Sequence, residues 1–264
     1  MRALFDTHAH LDQLEDVDGV IEHARDAGVV GIIAVGTDMR SNEKTLCIAE
    51  RWPGFVYPAV GLHPCQLPSC DAAALERELR FVEDCVGAAR AVGEVGLDYH
   101  KRTLAGISKE AQREVFSRLL GVAVSAGLPA LVHSRYAWTD ALQLVQKSRV
   151  PSAVFHWFTG FSSVLHGIMD SGFYVSATPA TEYHEEHRRA VRTVPVEQLL
   201  LETDTPVWYG RDVRYESRPS DVARSLRAVA ALRAESEETL AETTTRAAER
   251  LLSGTVTCAM EEVT

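Results

Sequence analysis

Short runs of β-branched and aliphatic residues alternate along the chain with stretches whose apolar positions recur every three to four residues. The runs predict strands at Ala3–Asp6, Gly31–Val35, Val56–Val60, Ala91–Gly93, Ala130–Val132, Ala153–Phe155, Phe173–Val175 and Leu199–Leu201. The periodic stretches predict helices at Val17–Ala27, Glu43–Arg51, Ala72–Val86, Lys109–Ala126, Trp138–Gln146, Ser163–Asp170 and Glu185–Val194. Two more helices follow the last strand, at Pro219–Leu232 and Ser236–Leu252. Strand–helix alternation this regular over 264 residues predicts a closed parallel (β/α)8 TIM barrel with extra C-terminal helices. An open doubly wound sheet is the competing architecture, but no Gly-x-Gly-x-x-Gly follows the first strand. Neither a linker nor a close internal repeat divides the chain. Residues 1–254 therefore read as one domain, and Thr255–Thr264 as a mobile tail.

In such a barrel the catalytic groups sit where the strands end, on the C-terminal face. Strand one ends in Asp6-Thr7-His8-Ala9-His10, and alternate side chains of an extended segment share a face. His8 and His10 can therefore both point into the barrel mouth, a spacing that suits a metal ion. Strand three ends in Gly61-Leu62-His63-Pro64, and strand four in Gly93-Glu94-Val95-Gly96-Leu97-Asp98-Tyr99. Strand five ends in His133-Ser134-Arg135, strand six in His156-Trp157-Phe158-Thr159-Gly160, and strand eight in Glu202-Thr203-Asp204-Thr205-Pro206. Each of these alone admits a structural reading, as a capping aspartate, a hydrogen-bonded histidine or a paired glutamate. Six of eight strands closing in ligand-type residues at one level point to a shared site.

The order Asp-x-His-x-His, Gly-x-His-Pro, Gly-Glu-x-Gly-Leu-Asp-Tyr, His-Ser-Arg, His-x-Phe-x-Gly and Leu-Glu-Thr-Asp-x-Pro resembles the TatD-type deoxyribonucleases of the amidohydrolase superfamily. The resemblance runs from Leu4 to about Leu252. It implies a metal-dependent hydrolase that cleaves nucleic-acid phosphodiester bonds, working exonucleolytically from 3′ to 5′. By the same resemblance His8, His10, Glu94 and Asp204 hold one divalent ion, and Glu94, His133 and His156 the second. Glu94 then bridges the pair, Asp204 doubles as proton acceptor, and His63 supports the centre or binds phosphate. Two cations roughly 3.5–4 Å apart suit an anionic ester that resists attack. Mixed imidazole and carboxylate donors suit Zn, Mn or Co, with Mg at the more oxygen-rich position. The chain departs from the family pattern at Cys65, at Ser176–Ala180, at Ser217-Arg218 and at Ala247.

Charge changes the picture on the substrate side. A net charge of −10 argues against a broad basic face that grips duplex DNA. Cations and rings are instead expected on the loops of the active face. Tyr99, Arg135, Lys101, Arg102, Trp208, Arg211 and Arg214 are the candidate substrate contacts, with Tyr136, Trp157, Tyr209 and Tyr215 beside them. Such a rim suits single-stranded DNA, DNA ends or RNA better than an intact duplex. The five cysteines show no zinc or redox spacing, and no apolar run is long enough for a membrane span. With Asp6 so close to Met1, no signal peptide is expected, and the cytoplasm is the expected compartment. An ester or amide hydrolase, such as a D-aminoacyl-tRNA deacylase, and a non-catalytic subunit of an assembly are the competing readings.

Overall fold

The computed structural model describes residues 3–253, so the expected tail lies outside the described residues. Eight parallel strands stand in chain order in one sheet. They are β1 (Leu4–Ala9), β2 (Val29–Val35), β3 (Val56–Val60), β4 (Ala91–Asp98), β5 (Ala130–Arg135), β6 (Ala153–Phe155), β7 (Tyr174–Ala177) and β8 (Leu199–Leu201). The helices are α1 (Val17–Asp26), α2 (Met39–Arg51), α3 (Ala72–Cys85), the short α4 (Lys101–Leu104), α5 (Lys109–Ala126), α6 (Trp138–Ser148), α7 (Ser162–Asp170), α8 (Glu185–Thr193), α9 (Val222–Arg233) and α10 (Glu237–Ser253). A small antiparallel ribbon, β9 (Trp208–Tyr209) with β10 (Tyr215–Glu216), rises after β8. None of the described helices is long and apolar enough to cross a membrane.

The boundaries differ from the expected ones where polar residues meet backbone demands. Strands β1, β4 and β5 run on through His8, through Glu94 to Asp98, and through His133 to Arg135. Their ladders continue where hydropathy stops, because neighbouring strands satisfy the backbone. Helix α2 starts before the apolar period does, because Asp38 caps it by accepting from Ser41 N at 2.8 Å. Gly96, at φ +147°, lets β4 approach β5; a Cβ there would fall 2.0 Å from the His133 carbonyl oxygen.

Alternation sorts the strand residues into two cores. Ile32 and Ala34 face the helices, while Ile33 and Val35 join Phe5, Ala59, Ala91, Leu131, Val154 and Leu200 inside the barrel. Ala247, Ala248 and Leu251 of α10 belong to this inner cluster, so the last helix stoppers the lower end. The small residue at 247 allows that close approach.

The ring closes between β1 and the chain just beyond β8. A parallel bridge pairs Ala9 with Thr205, Asp204 N donates to His8 O at 2.8 Å, and His10 N donates to Thr205 O at 2.9 Å. Buried Asp6 reinforces this seam, accepting from Thr203 Oγ1 at 2.6 Å and from Thr203 N at 3.0 Å. The closing bonds thus set His8, His10 and Asp204 side by side.

Candidate metal centre

The inward row that is apolar at the bottom turns polar at the top. His133 lies two residues beyond Leu131, His156 two beyond Val154, and Glu202 two beyond Leu200. His133 and His156 open on a cavity of about 530 Å³ whose walls also include His10, His63, Glu94, Arg135 and Asp204. Three residues at its edge, Tyr136, Trp157 and Asp204, hold positive φ of 58°, 41° and 50° despite carrying side chains. Such conformations persist where the surroundings over-determine them, and they cluster at functional sites.

Glu94 is at the centre, with one oxygen for each half of the cluster. Its Oε2 is 3.3 Å from His8 Nε2 and 3.4 Å from His10 Nε2, and Asp204 Oδ1 is 3.4 Å from that same His10 nitrogen. Its Oε1 is 2.9 Å from both His133 Nδ1 and His156 Nε2, and 3.5 Å from His63 Nε2. Burial penalises charge on Glu94, but the surrounding histidines, led by His63, His156 and His8, hold its carboxyl well below the ordinary range. Burial likewise opposes charge on His10, yet Asp204 and Glu94 lift its pKa to about 10. The cluster strongly attracts positive charge.

Hydrogen bonds on the far side of each ring decide what the near side offers. His10 Nδ1 lies 3.1 Å from the Val35 carbonyl oxygen, which only an N–H can satisfy. His133 Nε2 lies 3.3 Å from the Asp98 carboxylate, and His156 Nδ1 lies 3.6 Å from that of Glu202. With a proton outward on His10 and His133, these two rings turn lone pairs toward the carboxylates of Glu94 and Asp204, whereas His156 Nδ1 has no hydrogen-bond partner among the described residues. Lone pairs facing carboxylate oxygens at 2.9–3.4 Å call for a proton or a cation between them. His8 has neither ring nitrogen hydrogen-bonded among the described residues, although it is almost fully buried. This donor set fits divalent cations with nitrogen and oxygen preferences.

His63 is the reverse case. Its Nδ1 accepts from Cys65 N at 3.0 Å, so the neutral ring carries its proton on Nε2 and faces Glu94 as a donor. Three carboxylates with no role assigned from the motifs support the ring of ligands. Asp6 staples the seam, Glu202 backs His156, and Asp98 backs His133 while also accepting from Arg135 Nε at 2.9 Å. Each sits inside a quoted motif, but only contacts distant in sequence reveal what it does.

The expected substrate contacts are scattered. Arg135 lines the cavity, anchored by fully buried Asp98. Tyr99 instead donates to Asp140 at 2.7 Å with Lys109 over its ring, and Tyr209 is fully buried and donates to Thr203 O. Lys101 and Arg102 are exposed on α4. Arg211 lies on Tyr183 and Arg214 on Trp208, in and beside the β9–β10 turn, outside the cavity wall. Tyr215 is covered by Arg224 at 4.1 Å.

Comparison with known proteins agrees with this geometry. The chain is 33% identical to a human protein named deoxyribonuclease TATDN3, over 94% of each chain. It is 30% identical to a Yersinia pseudotuberculosis protein named 3'-5' ssDNA/RNA exonuclease TatD, covering 94% of this chain and 98% of the other. The crystal structure of YJJV, a TatD homolog from Escherichia coli, superposes with a TM-score of 0.83 at 26% identity, over 94% of this chain and 97% of that one. The family described as TatD related DNase matches residues 5–253. With its barrel and its ordered histidines and carboxylates, the chain belongs to that family.

Proposed function

We propose that this chain is a phosphodiesterase acting on single-stranded DNA and DNA ends, with RNA cut by the same chemistry, and that it removes nucleotides from 3′ to 5′. The observation that carries the reading is the convergence of four imidazoles on the buried Glu94 carboxylate, with nitrogens of His8, His10, His133 and His156 2.9–3.4 Å from its oxygens. His10 and His133 are held from behind, by the Val35 carbonyl and the Asp98 carboxylate. His8, His10, Glu94 and Asp204 would hold one divalent ion, and Glu94, His133 and His156 a second, with Zn, Mn or Mg each compatible with the donors. Bound there, such ions supply Lewis-acid charge and make water nucleophilic near neutral pH.

The chain's own groups divide the remaining work. Asp204 accepts the proton of the attacking water at its carboxylate, in a position fixed by its backbone bond to His8. His63 presents its Nε2–H as a donor to a phosphate oxygen. Arg135, about half exposed and pinned by Asp98, presents its guanidinium to the phosphate as it enters. The names of the TATDN3 and TatD relatives support a nucleic-acid substrate.

The test is a product ladder from single strands labelled at the 5′ or the 3′ end, run with metal-loaded protein, with D-aminoacyl-tRNA as a separate substrate. Stepwise shortening from the 3′ end is expected. Release of free amino acid without strand cleavage would replace this reading with deacylation.

A further inference from the structure

Among the described residues, large exposed hydrophobic side chains concentrate at the mouth: Tyr136, Phe161, Trp208 and Val213 are four of seven. Tyr136 and Phe161 are 60% and 62% exposed, and Trp138 lies between them. The Trp138 ring meets Tyr136 at 5.8 Å and Phe161 at 5.3 Å, edge to face in both cases. Tyr136 stacks in turn on His100 at 6.1 Å. Rings that support one another by their edges keep flat faces open to solvent. Gly160 makes the arrangement possible, since a Cβ there would fall 2.5 Å from Trp138 Cγ. The loop lies flat beneath the indole, and Phe161 is turned outward.

Two further features tie this row to the centre. Tyr136 and Trp138 line the same cavity as Glu94, His133 and His156, so the row continues from the candidate metal centre. Trp138 opens α6 and Phe161 precedes α7, and neither helix has a side-chain cap on its first amides. By contrast α1, α2, α3 and α5 are each capped by an Asp or Ser. Free amides at helix starts are donors for phosphate, and open rings are platforms for bases. Alternating phosphates and unpaired bases are what a single strand presents.

We propose that Tyr136, Trp138 and Phe161 form a stacking platform for the bases next to the scissile phosphate, with the amides at the starts of α6 and α7 donating to the flanking phosphates. The platform rests on the phosphodiesterase reading for its substrate, but it is tested by binding, separately from cleavage. The probes are a phosphorothioate-linked single strand of mixed bases and the same backbone with abasic sugars, each titrated by fluorescence anisotropy against manganese-loaded protein. The base-bearing strand should bind more tightly. Phe161→Ala and Tyr136→Ala should each erode that preference by roughly 5- to 150-fold, the range for one lost stack. Phe161→Trp should keep the preference and Phe161→Leu should lose it, because leucine restores apolar bulk without a π face. Equal binding of the two strands, or no binding of either, overturns the platform. So does a preference that survives both alanine substitutions or the leucine. Failure of wild-type protein to shorten an ordinary phosphodiester strand strikes the phosphodiesterase reading alone.

Discussion

The two ends of the barrel are made from the same strands and opposite materials. At the lower end Leu131, Val154 and Leu200 meet Ala248 and Leu251 of α10 in an apolar plug. One inward step up the same strands stand His133, His156 and Glu202, and the cavity that the two histidines line is ringed by charge. The lower end gains from burying apolar area, which is insensitive to orientation. The upper end keeps the carboxylates of Asp6, Glu94, Asp98, Glu202 and Asp204 out of water, a cost of several kcal/mol per ion unless partners offset it. A fold can carry that burden at one mouth because the other mouth stabilises the chain.

Substitutions can break this contrast. The largest effect is expected at Glu94. Glu94→Ala should lower strand cleavage by roughly 10²-fold or more and reduce the metal bound per chain, as measured by plasma mass spectrometry. Near-normal rates with full metal content would remove Glu94 from the centre. At the opposite end, Leu251→Ala should cost about 2–5 kcal/mol in urea unfolding while leaving kcat/KM unchanged below the transition. A loss of activity in the folded variant would show that the ends are not independent.

Asp98→Asn sharpens the contrast within the mouth, because Asp98 touches both His133 and Arg135. Metal affinity, read by competition with a chromophoric chelator, and kcat/KM should each fall roughly 10- to 100-fold. Unchanged affinity would mean that the carboxylate does not orient His133. The smallest effect, a pH dependence of stability, concerns His187. This buried histidine lies between the loops after β6 and β7, with Nδ1 3.1 Å from Phe158 O and Nε2 accepting from Thr178 N at 3.1 Å. Burial pushes its pKa down from 6.5 to about 4. Below pH 6.5 the unfolded chain takes up a proton that the folded chain refuses, so this contribution to stability is lost as pH falls toward 4. The stability gap between wild type and His187→Gln should therefore narrow across that window in urea titrations. A gap constant with pH would place the protonated ring in the folded protein.

Most of the upper mouth could be read along the chain because its histidines and carboxylates end six of the eight strands in compact motifs. Hydropathy ends β1, β4 and β5 near their first polar or glycine residues, since it cannot tell a buried polar residue from an exposed one. Asp6, Asp98 and Glu202 show no role in their motifs because their partners are remote in sequence. The rings misled in the other direction. Tyr99 and Tyr209 sit on the expected loops but spend their hydroxyls on Asp140 and Thr203, while Trp138, assigned only to helix pattern, and Phe161, assigned to no element, meet at the mouth. Loop position marks a ring as available, and only packing decides whether its face is free.

The seam between β1 and the end of β8 has a consequence for how the protein is made. The bonds from Thr7 to Leu201 and from Thr203 to Asp6 join residues 194 and 197 positions apart. His8 and His10 are synthesised with the first strand, yet their neighbour Asp204 emerges from the ribosome only when the eighth strand has been translated. A growing or prematurely terminated chain carries the histidines without the seam that sets them beside that carboxylate. The carboxylate and the two histidines come together only once synthesis has passed the last strand and the ring can close.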